Sequence, residues 1–161
     1  MIRVLICDDH MIVRQGIRQS LAEAADIEVV AEAEQGPAAL QRLRQGDIHV
    51  LLLDVALPGR DGLDVLRQAR AEHPRLPVLM LSMYAEEVFA LRALKLGAAG
   101  YLMKDVEPAT LFEAIRKAAG GGKRLAWEVG VPLLGTIPID PAVVSSGDAG
   151  RPLVEAIPFS P

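Results

Sequence analysis

The sequence predicts an α/β fold, with one doubly wound, five-stranded parallel sheet in the order 2-1-3-4-5 and a short irregular C-terminal extension. Short apolar runs alternate with amphipathic helical patterns over about three-quarters of the chain. The run VLLL at 50–53 is apolar at every position, which is typical of a strand covered on both faces. Successive βα units favour a parallel sheet, because each helix carries the chain back to the start of the next strand.

Five strands and five helices are predicted from these patterns. The strands are Ile2–Cys7, Ile27–Ala33, His49–Leu53, Val78–Ser82 and Ala99–Leu102. The helices are Met11–Ala24, Pro37–Arg44, Leu63–Glu72, Ala85–Leu96 and Pro108–Ala119.

Apolar spacing and end residues justify the helices. In the first helix Val13, Ile17 and Leu21 form one stripe at spacing four, which would face the sheet. Pro37 and Pro108 suit the first turn of their helices, where proline costs no hydrogen bond.

Composition narrows the class of protein. A length of 161 residues suits one domain plus an appendage, and a net charge of −4 provides no basic field for nucleic acid. No apolar run approaches the roughly 20 residues of a membrane span, and the N-terminus enters a strand pattern without a signal peptide. The single cysteine, Cys7, allows no internal disulfide, so we expect a cytoplasmic protein with Cys7 in its core.

Acidic residues close two of the predicted strands. Asp8 and Asp9 follow the first strand, and Asp54 follows the third, which is its neighbour in the predicted order. Three carboxylates at one sheet edge repel one another unless a cation neutralises them. Mg²⁺ suits such a site, because it prefers oxygen ligands and is served by one or two carboxylates together with a phosphate.

A hydroxyl and an ammonium group are predicted at the same edge. Ser82 closes the fourth strand and Lys104 follows the fifth, so both would face Asp54 and bind oxygens of a phosphoryl group. Each residue alone has a plainer interpretation, as a turn, a cap or a solvated charge. Their joint placement at the ends of four different strands favours a functional site.

Four segments carry a family resemblance: CDDH, LLLDVALPGRDGLDVL, VLMLSMY and ALKLGAAGYLMKD. Through them, residues 1–121 resemble the receiver domain of two-component response regulators, most closely the NarL/FixJ type. The resemblance implies a flavodoxin-like receiver fold and a Mg²⁺-dependent transfer of a phosphoryl group from a sensor histidine kinase to Asp54.

The same resemblance implies a role for each residue at the sheet edge. The Mg²⁺ ligands would be Asp9, Asp54 and the backbone carbonyl of Ala56, with Asp8 helping directly or through water. Ser82 and Lys104 would bind the phosphoryl oxygens.

Tyr101 would be the switch aromatic. Phosphorylation would draw Ser82 inward, and Tyr101 would then turn from solvent towards the core. The face made by the fourth helix, the fifth strand and the fifth helix would change shape. A homodimer would form through that face or through the C-terminal extension. The plainer interpretation of Tyr101 is a half-buried strand aromatic.

Two further expectations concern the neighbourhood of Asp54. Ala56 and Tyr84 occupy positions that, by the resemblance, tune the access of water to the phosphoryl group, and neither supplies a carboxylate or amide. We therefore expect slow autodephosphorylation and no other enzymatic activity. His10 follows the acidic pair, and we expect an exposed loop or first-turn residue there rather than a metal ligand.

The chain changes character after residue 121. A glycine-rich linker is predicted at 122–128 and a proline-rich tail at 129–161, with one strand-like segment, Val131–Ile139. Beyond Arg124 the only Lys or Arg is Arg151, so we predict no helix-turn-helix domain and no direct binding of nucleic acid by this chain.

Residues 129–154 resemble the C-terminal segment of Mrp/ApbC-type P-loop ATPases, through GTIPIDP and GDAGRP. The chain has no G-x-x-x-x-G-K-[ST] motif, so no ATPase activity is implied. The tail is either an extension without function or a docking segment that adds to a sheet edge.

Three rival functions remain. A flavin- or nucleotide-binding module would need a Gly- or Ser/Thr-rich loop after the first strand, where this chain has an acidic pair. A phosphatase with an aspartyl-phosphate intermediate would use a second carboxylate as acid and base, for which Asp9 is available. A regulator that binds DNA directly is opposed by the acidic charge balance.

Overall fold

The computed structural model describes residues 1–83 and 87–120, in which five strands alternate with five helices. The strands are β1 (Ile2–Cys7), β2 (Ile27–Ala33), β3 (Val50–Asp54), β4 (Val78–Ser82) and β5 (Gly100–Met103). The helices are α1 (Met11–Leu21), α2 (Gly36–Arg44), α3 (Gly62–Glu72), α4 (Glu87–Lys95) and α5 (Pro108–Ala119). The predictions for Tyr84, for the linker and for the proline-rich tail lie outside the described residues.

The strands form one parallel sheet in the order β2-β1-β3-β4-β5, which confirms the predicted fold class and strand order. Every residue of β3 and of β4 is buried, as expected for central strands covered on both faces. The edge strand β2 has exposed and half-buried positions instead.

Two apolar clusters pack on opposite faces of the sheet. One includes the buried side chains of α2, α3 and α4, and the other includes those of α1 and α5. Helices therefore cover both faces, as the βα alternation predicts. None of the described helices is long and apolar enough to cross a bilayer.

Some predicted boundaries are wrong by one to three residues. Helix α1 ends at Leu21 rather than at Ala24, because the next residues form hydrogen bonds that span three residues instead of four. These run from Glu23 N–H to Ser20 O and from Ala24 N–H to Leu21 O. Strand β3 is displaced by one residue from the prediction and contains Asp54, which pairs with Leu81 of β4.

The buried stripe of α1 also differs from the prediction. Val13 is only half-buried, whereas Arg14 is buried together with Ile17 and Leu21. Residues 14, 17 and 21 share a helix face as well as 13, 17 and 21 do, so spacing alone does not separate the two. The structure thus places a charged side chain where an apolar stripe was expected.

Gly62 lets helix α3 begin directly against the end of β3. Its N–H donates a hydrogen bond of 2.9 Å to Val55 O. A Cβ atom at this position would lie 2.6 Å from Val55 O and even closer to Asp54 O, both of which are backbone atoms. Glycine is therefore needed here because of close approach.

We predict opposite effects for two Gly→Ala substitutions. Gly62→Ala should lower the free energy of unfolding by about 1–3 kcal/mol, because the backbone must move to admit the methyl group. Gly16→Ala, at an exposed position of α1 with open space around it, should raise it by about 0.8–1 kcal/mol through helix propensity. Urea unfolding followed by circular dichroism measures both, and equal effects would contradict the close-approach argument.

Candidate functional site

The carboxyl ends of four strands bring the predicted residues together. Asp8 follows β1, Asp54 ends β3, Ser82 ends β4, and Lys104 follows β5. Asp54, Ser82 and Lys104 line a cavity of about 450 Å³, together with residues that include Ala56. The parallel order of the strands produces this convergence, because all their carboxyl ends lie at one edge.

Three carboxylates form an acidic cluster at this edge. Asp8, Asp9 and Asp54 each offer an oxygen, and these oxygens, with a ring nitrogen of His10, lie within 4.8 Å of one another. Asp8 is fully buried and Asp54 is 1% exposed, so bulk water solvates neither carboxylate. The cluster therefore needs positive charge from the protein or from a ligand.

Lys104, the residue that follows β5, places a positive charge beside the acidic cluster. Its Nζ lies 2.8 Å from Asp8 Oδ2 and 3.1 Å from Asp54 Oδ2. The backbone N–H of Lys104 donates to Ser82 O at 2.8 Å, which fixes the start of this side chain beside β4. One ammonium group is thus shared between two buried carboxylates.

The shared ion pair leaves Asp54 incompletely compensated. Burial raises the pKa of Asp54, and the Asp8 charge adds to this, against the lowering effects of the Ala56 N–H and of Lys104. Burial alone would lower the pKa of Lys104, but the two carboxylates outweigh it and raise that pKa. Lys104 therefore stays charged at neutral pH, while ionised Asp54 is held at a cost to the folded state.

The field of the cluster extends to Cys7, which is fully buried beneath it in β1. Burial, followed by the charges of Asp54 and Asp8, raises the pKa of its thiol to about 12. The thiol is therefore protonated at neutral pH and packs as a small apolar group, as the sequence predicts.

Backbone hydrogen bonds orient the carboxylates. The N–H of Ala56 donates to Asp54 Oδ1 at 3.1 Å, and the N–H of His10 donates to Asp8 Oδ1 at 2.8 Å. Each carboxylate thus keeps its Oδ2 on the side of Lys104. The ring of His10 lies at the mouth of the site with its side chain 62% exposed, and its Nδ1 is 3.2 Å from Asp9 Oδ1.

Tyr101 differs from expectation. The ring was expected to face solvent before phosphorylation, or to be half-buried, but it is fully buried in the cluster that contains Leu91 and Leu94 of α4. Burial of a large aromatic ring is favourable, so packing against α4 stabilises the inward position. The structure therefore has Tyr101 where the switch hypothesis assigns it after phosphorylation.

Arg14 is a buried residue near the site that was not predicted from the sequence. This side chain is only 6% exposed, and its Nη1 donates to the backbone oxygen of Asp8 at 2.6 Å. Its spacing from Ile17 and Leu21 was the available signal, because an arginine on a buried helix face requires partners.

The acidic cluster fits a divalent cation. Three carboxylates against one ammonium group leave an excess of two negative charges, and all the carboxylate ligands are oxygens, which Mg²⁺ prefers. The buried Oδ1 of Asp9 accepts no hydrogen bond within the described part of the chain, although His10 Nδ1 is near it. An oxygen left in this condition favours a metal ligand over a purely structural role.

Most of the chain matches the model of one protein family. The family model described as response regulator receiver domain matches residues 4–116. The chain therefore belongs to the response regulator receiver family, the signalling modules of two-component systems. Phosphorylation on aspartate is general to this family, and its members bind Mg²⁺ at an acidic pocket.

Several relatives are regulators of the NarL and GacA kind. The response regulator GacA of Pseudomonas protegens is 37% identical over 134 residues, which are 83% of this chain and 63% of that protein. The nitrate/nitrite response regulator protein NarP of Escherichia coli is 42% identical over 123 residues, which are 75% of this chain and 56% of that protein. The chain thus spans about three-fifths of the length of these relatives.

Solved structures agree with this assignment. The receiver domain of NarL from Mycobacterium tuberculosis superposes with a TM-score of 0.70 at 35% identity, covering 74% of this chain and 97% of that one. The isolated receiver domain of RcsB from Salmonella enterica, in the presence of phosphomimetic BeF3−, gives a TM-score of 0.69 at 32% identity, covering 76% and 91%.

The raised pKa of Asp54 predicts that Asp54→Asn stabilises the metal-free protein at neutral pH. The folded state binds the Asp54 proton more tightly than the unfolded state, so ionisation above the ordinary pKa of 3.8 costs stability. Asparagine removes this cost. The gain in urea midpoint should be largest above the raised pKa and should disappear as the pH falls below 3.8.

The control is Glu23→Gln, which removes one negative charge from the exposed turn after α1. The free energy of unfolding of this variant should stay within about 0.5 kcal/mol of that of the unaltered protein. A metal-free Asp54→Asn protein that is less stable at pH 7 would show that the Lys104 contact outweighs the burial of the charge.

Proposed function

We propose that Asp54 is the phosphoacceptor of this receiver domain and that a sensor histidine kinase is its phosphoryl donor. The observation that carries the proposal is the position of Asp54 Oδ2, buried at the end of β3 and 3.1 Å from Lys104 Nζ. A carboxylate is a recognised phosphoryl acceptor, and an adjacent cation neutralises the charge that arrives with the group.

The transfer follows from this arrangement. A carboxylate oxygen of Asp54 attacks the phosphorus of the donor phosphohistidine, the P–N bond breaks, and the electron pair returns to the imidazole. Lys104 and Ser82 bind the equatorial oxygens of the transferred group. Asp9, Asp54 and the carbonyl of Ala56 would hold Mg²⁺, with Asp8 assisting. The ion would offset phosphoryl charge that Lys104 alone leaves uncompensated.

The switch follows from the new charge. A phosphoryl group on Asp54 attracts the Ser82 hydroxyl at the end of β4 and the Lys104 ammonium group beyond β5. Tyr101 lies in β5 between these elements and α4, and its inward position is the one that this switch stabilises. The surface formed by α4, β5 and α5 is then the readout face, and the homodimer through this face stays a prediction.

The chain acts in a two-component pathway, with regulation of transcription as its output. DegU is a transcriptional regulatory protein, and RcsB has been solved bound to promoter rprA. Response regulators are typically cytoplasmic, and we place this chain there. The absence of direct nucleic-acid binding by this chain stays a prediction.

We extend the receiver domain to residue 121 and treat 122–128 as the linker and 129–161 as a separate tail. The likeness of 129–154 to Mrp/ApbC-type ATPases rests on GTIPIDP and GDAGRP and stays a prediction. A docking role for Val131–Ile139 stays a prediction as well.

The phosphoacceptor is tested by labelling with acetyl phosphate, read as the intact mass with and without Mg²⁺. The protein should gain one phosphoryl group in the presence of Mg²⁺, and Asp54→Asn should abolish the gain while circular dichroism stays unchanged. Asp64→Asn, at an exposed position in the first turn of α3, is the matched control and should label at the normal rate. Undiminished labelling of Asp54→Asn would refute the assignment.

A slow loss of the phosphoryl group is the second expectation. Ala56 lies beside Asp54 and provides no side chain to orient water, so hydrolysis proceeds without help at this position. Ala56→Glu should shorten the phospho-half-life by about tenfold or more, within the range of a positioned acid–base group. Decay of the isolated phosphoprotein in Mg²⁺ buffer measures it. A half-life of seconds in the unaltered protein would contradict the expectation.

A further inference from the structure

Arg14 joins helix α1 to Asp8, in the loop that follows β1, and to Glu32 of strand β2. Its Nη1 donates to Asp8 O at 2.6 Å, and its Nε donates to Glu32 Oε1 at 2.9 Å. Both partners come from other elements than α1, and the guanidinium group is buried between them. The planar fork of arginine can hold two acceptors at fixed angles, which a lysine ammonium group cannot do in the same way.

The charge of Arg14 is balanced by its neighbours. Glu32 also accepts from Arg18 Nε at 2.6 Å, and Glu34 lies 3.9 Å from Arg14 Nη2. Burial would raise the pKa of Glu32, but the hydrogen bonds from Arg18 and Arg14 outweigh it and lower that pKa. Two positive and two negative charges thus face one another, so the group acts on the acidic cluster mainly through geometry.

The geometry that Arg14 fixes is the backbone of Asp8. The N–H of Asp8 donates to Ala33 O of β2 at 3.0 Å, and its carbonyl oxygen is held by Arg14. The backbone of Asp8 is therefore restrained on both sides, next to the Asp9 carboxylate. In metal sites, partners that orient the ligands without touching the ion commonly govern affinity.

We propose that Arg14 is a positioning residue that sets the affinity of the acidic cluster for its divalent cation, by holding the carbonyl of Asp8 in place. This inference rests on the proposed function, since the cation is the one used in phosphoryl transfer. Loss of the guanidinium group frees the turn from Asp8 to His10, so the carboxylates must be ordered again when the ion binds.

The test compares two arginines that bind the same glutamate. Arg14→Met removes the contacts with Asp8 and Glu32, whereas Arg18→Met removes only a contact with the other oxygen of Glu32. Mn²⁺ serves as a paramagnetic probe for the oxygen-rich site, and electron paramagnetic resonance follows its free fraction during titration of the full chain. The Mg²⁺ concentration for half-maximal labelling by acetyl phosphate is measured in parallel.

Arg14→Met should weaken Mn²⁺ binding about tenfold or more and raise the half-maximal Mg²⁺ concentration equally, while Arg18→Met stays within about twofold. Saturating Mg²⁺ should restore most of the labelling rate of Arg14→Met. Arg14→Lys keeps the charge without the fork, and should weaken binding at least threefold; this variant decides the matter if Arg14→Met does not fold.

Three results would overturn the inference in distinguishable ways. Unchanged Mn²⁺ affinity in a folded Arg14 variant would show that Arg14 is only structural. Equal weakening in Arg14→Met and Arg18→Met would assign the effect to the Glu32 network instead of Asp8. If the unaltered chain neither binds Mn²⁺ nor gains a phosphoryl group, the proposed function itself fails. If it is labelled normally and the Arg14 variants keep its Mn²⁺ affinity, only the role of Arg14 is refuted.

Discussion

The ion pair that Lys104 shares between Asp8 and Asp54 is the constraint on which the site depends. The Lys104 side chain is only 5% exposed, and its ammonium group lies against two carboxylates that are buried almost completely. Buried charges of this kind are stable only where geometry and partners are fixed, so the ends of β1, β3 and β5 must stay in register. The negative charge that Lys104 leaves uncompensated favours a bound cation at this edge of the sheet.

The fold meets this constraint through three separate attachments of the loops. Gly62 brings the first turn of α3 against the end of β3, so the loop from Val55 closes tightly. The N–H of Lys104 is tied to β4 through Ser82 O. Arg14 ties the loop after β1 to helix α1 and strand β2. The first two attachments join backbone atoms, whereas the third uses the buried side chain of Arg14 to hold the backbone oxygen of Asp8.

Family membership and the geometry support one another, but they answer different questions. The match over residues 4–116 shows that the chain is a response regulator receiver. The distances around Lys104 show that its ammonium group lies 2.8 Å from Asp8 and 3.1 Å from Asp54, so the two carboxylates share it, and burial raises the pKa of Asp54. The buried ring of Tyr101 packs in the apolar cluster that includes α4, so β5 and α4 are joined on this face of the sheet.

The sequence by itself determined the βα alternation and the position of five polar residues at the strand ends, because apolar runs, helical stripes and polar residues that follow a strand are local signals. The strand order was predicted from the order that is common among doubly wound sheets. The tertiary structure alone decided the end of α1 at Leu21, the burial of Tyr101 and the burial of Arg14. These depend on what packs against a residue from distant parts of the chain. Helical spacing allowed Val13 and Arg14 equally, and only the presence of Glu32 and of the Asp8 carbonyl makes a buried arginine favourable.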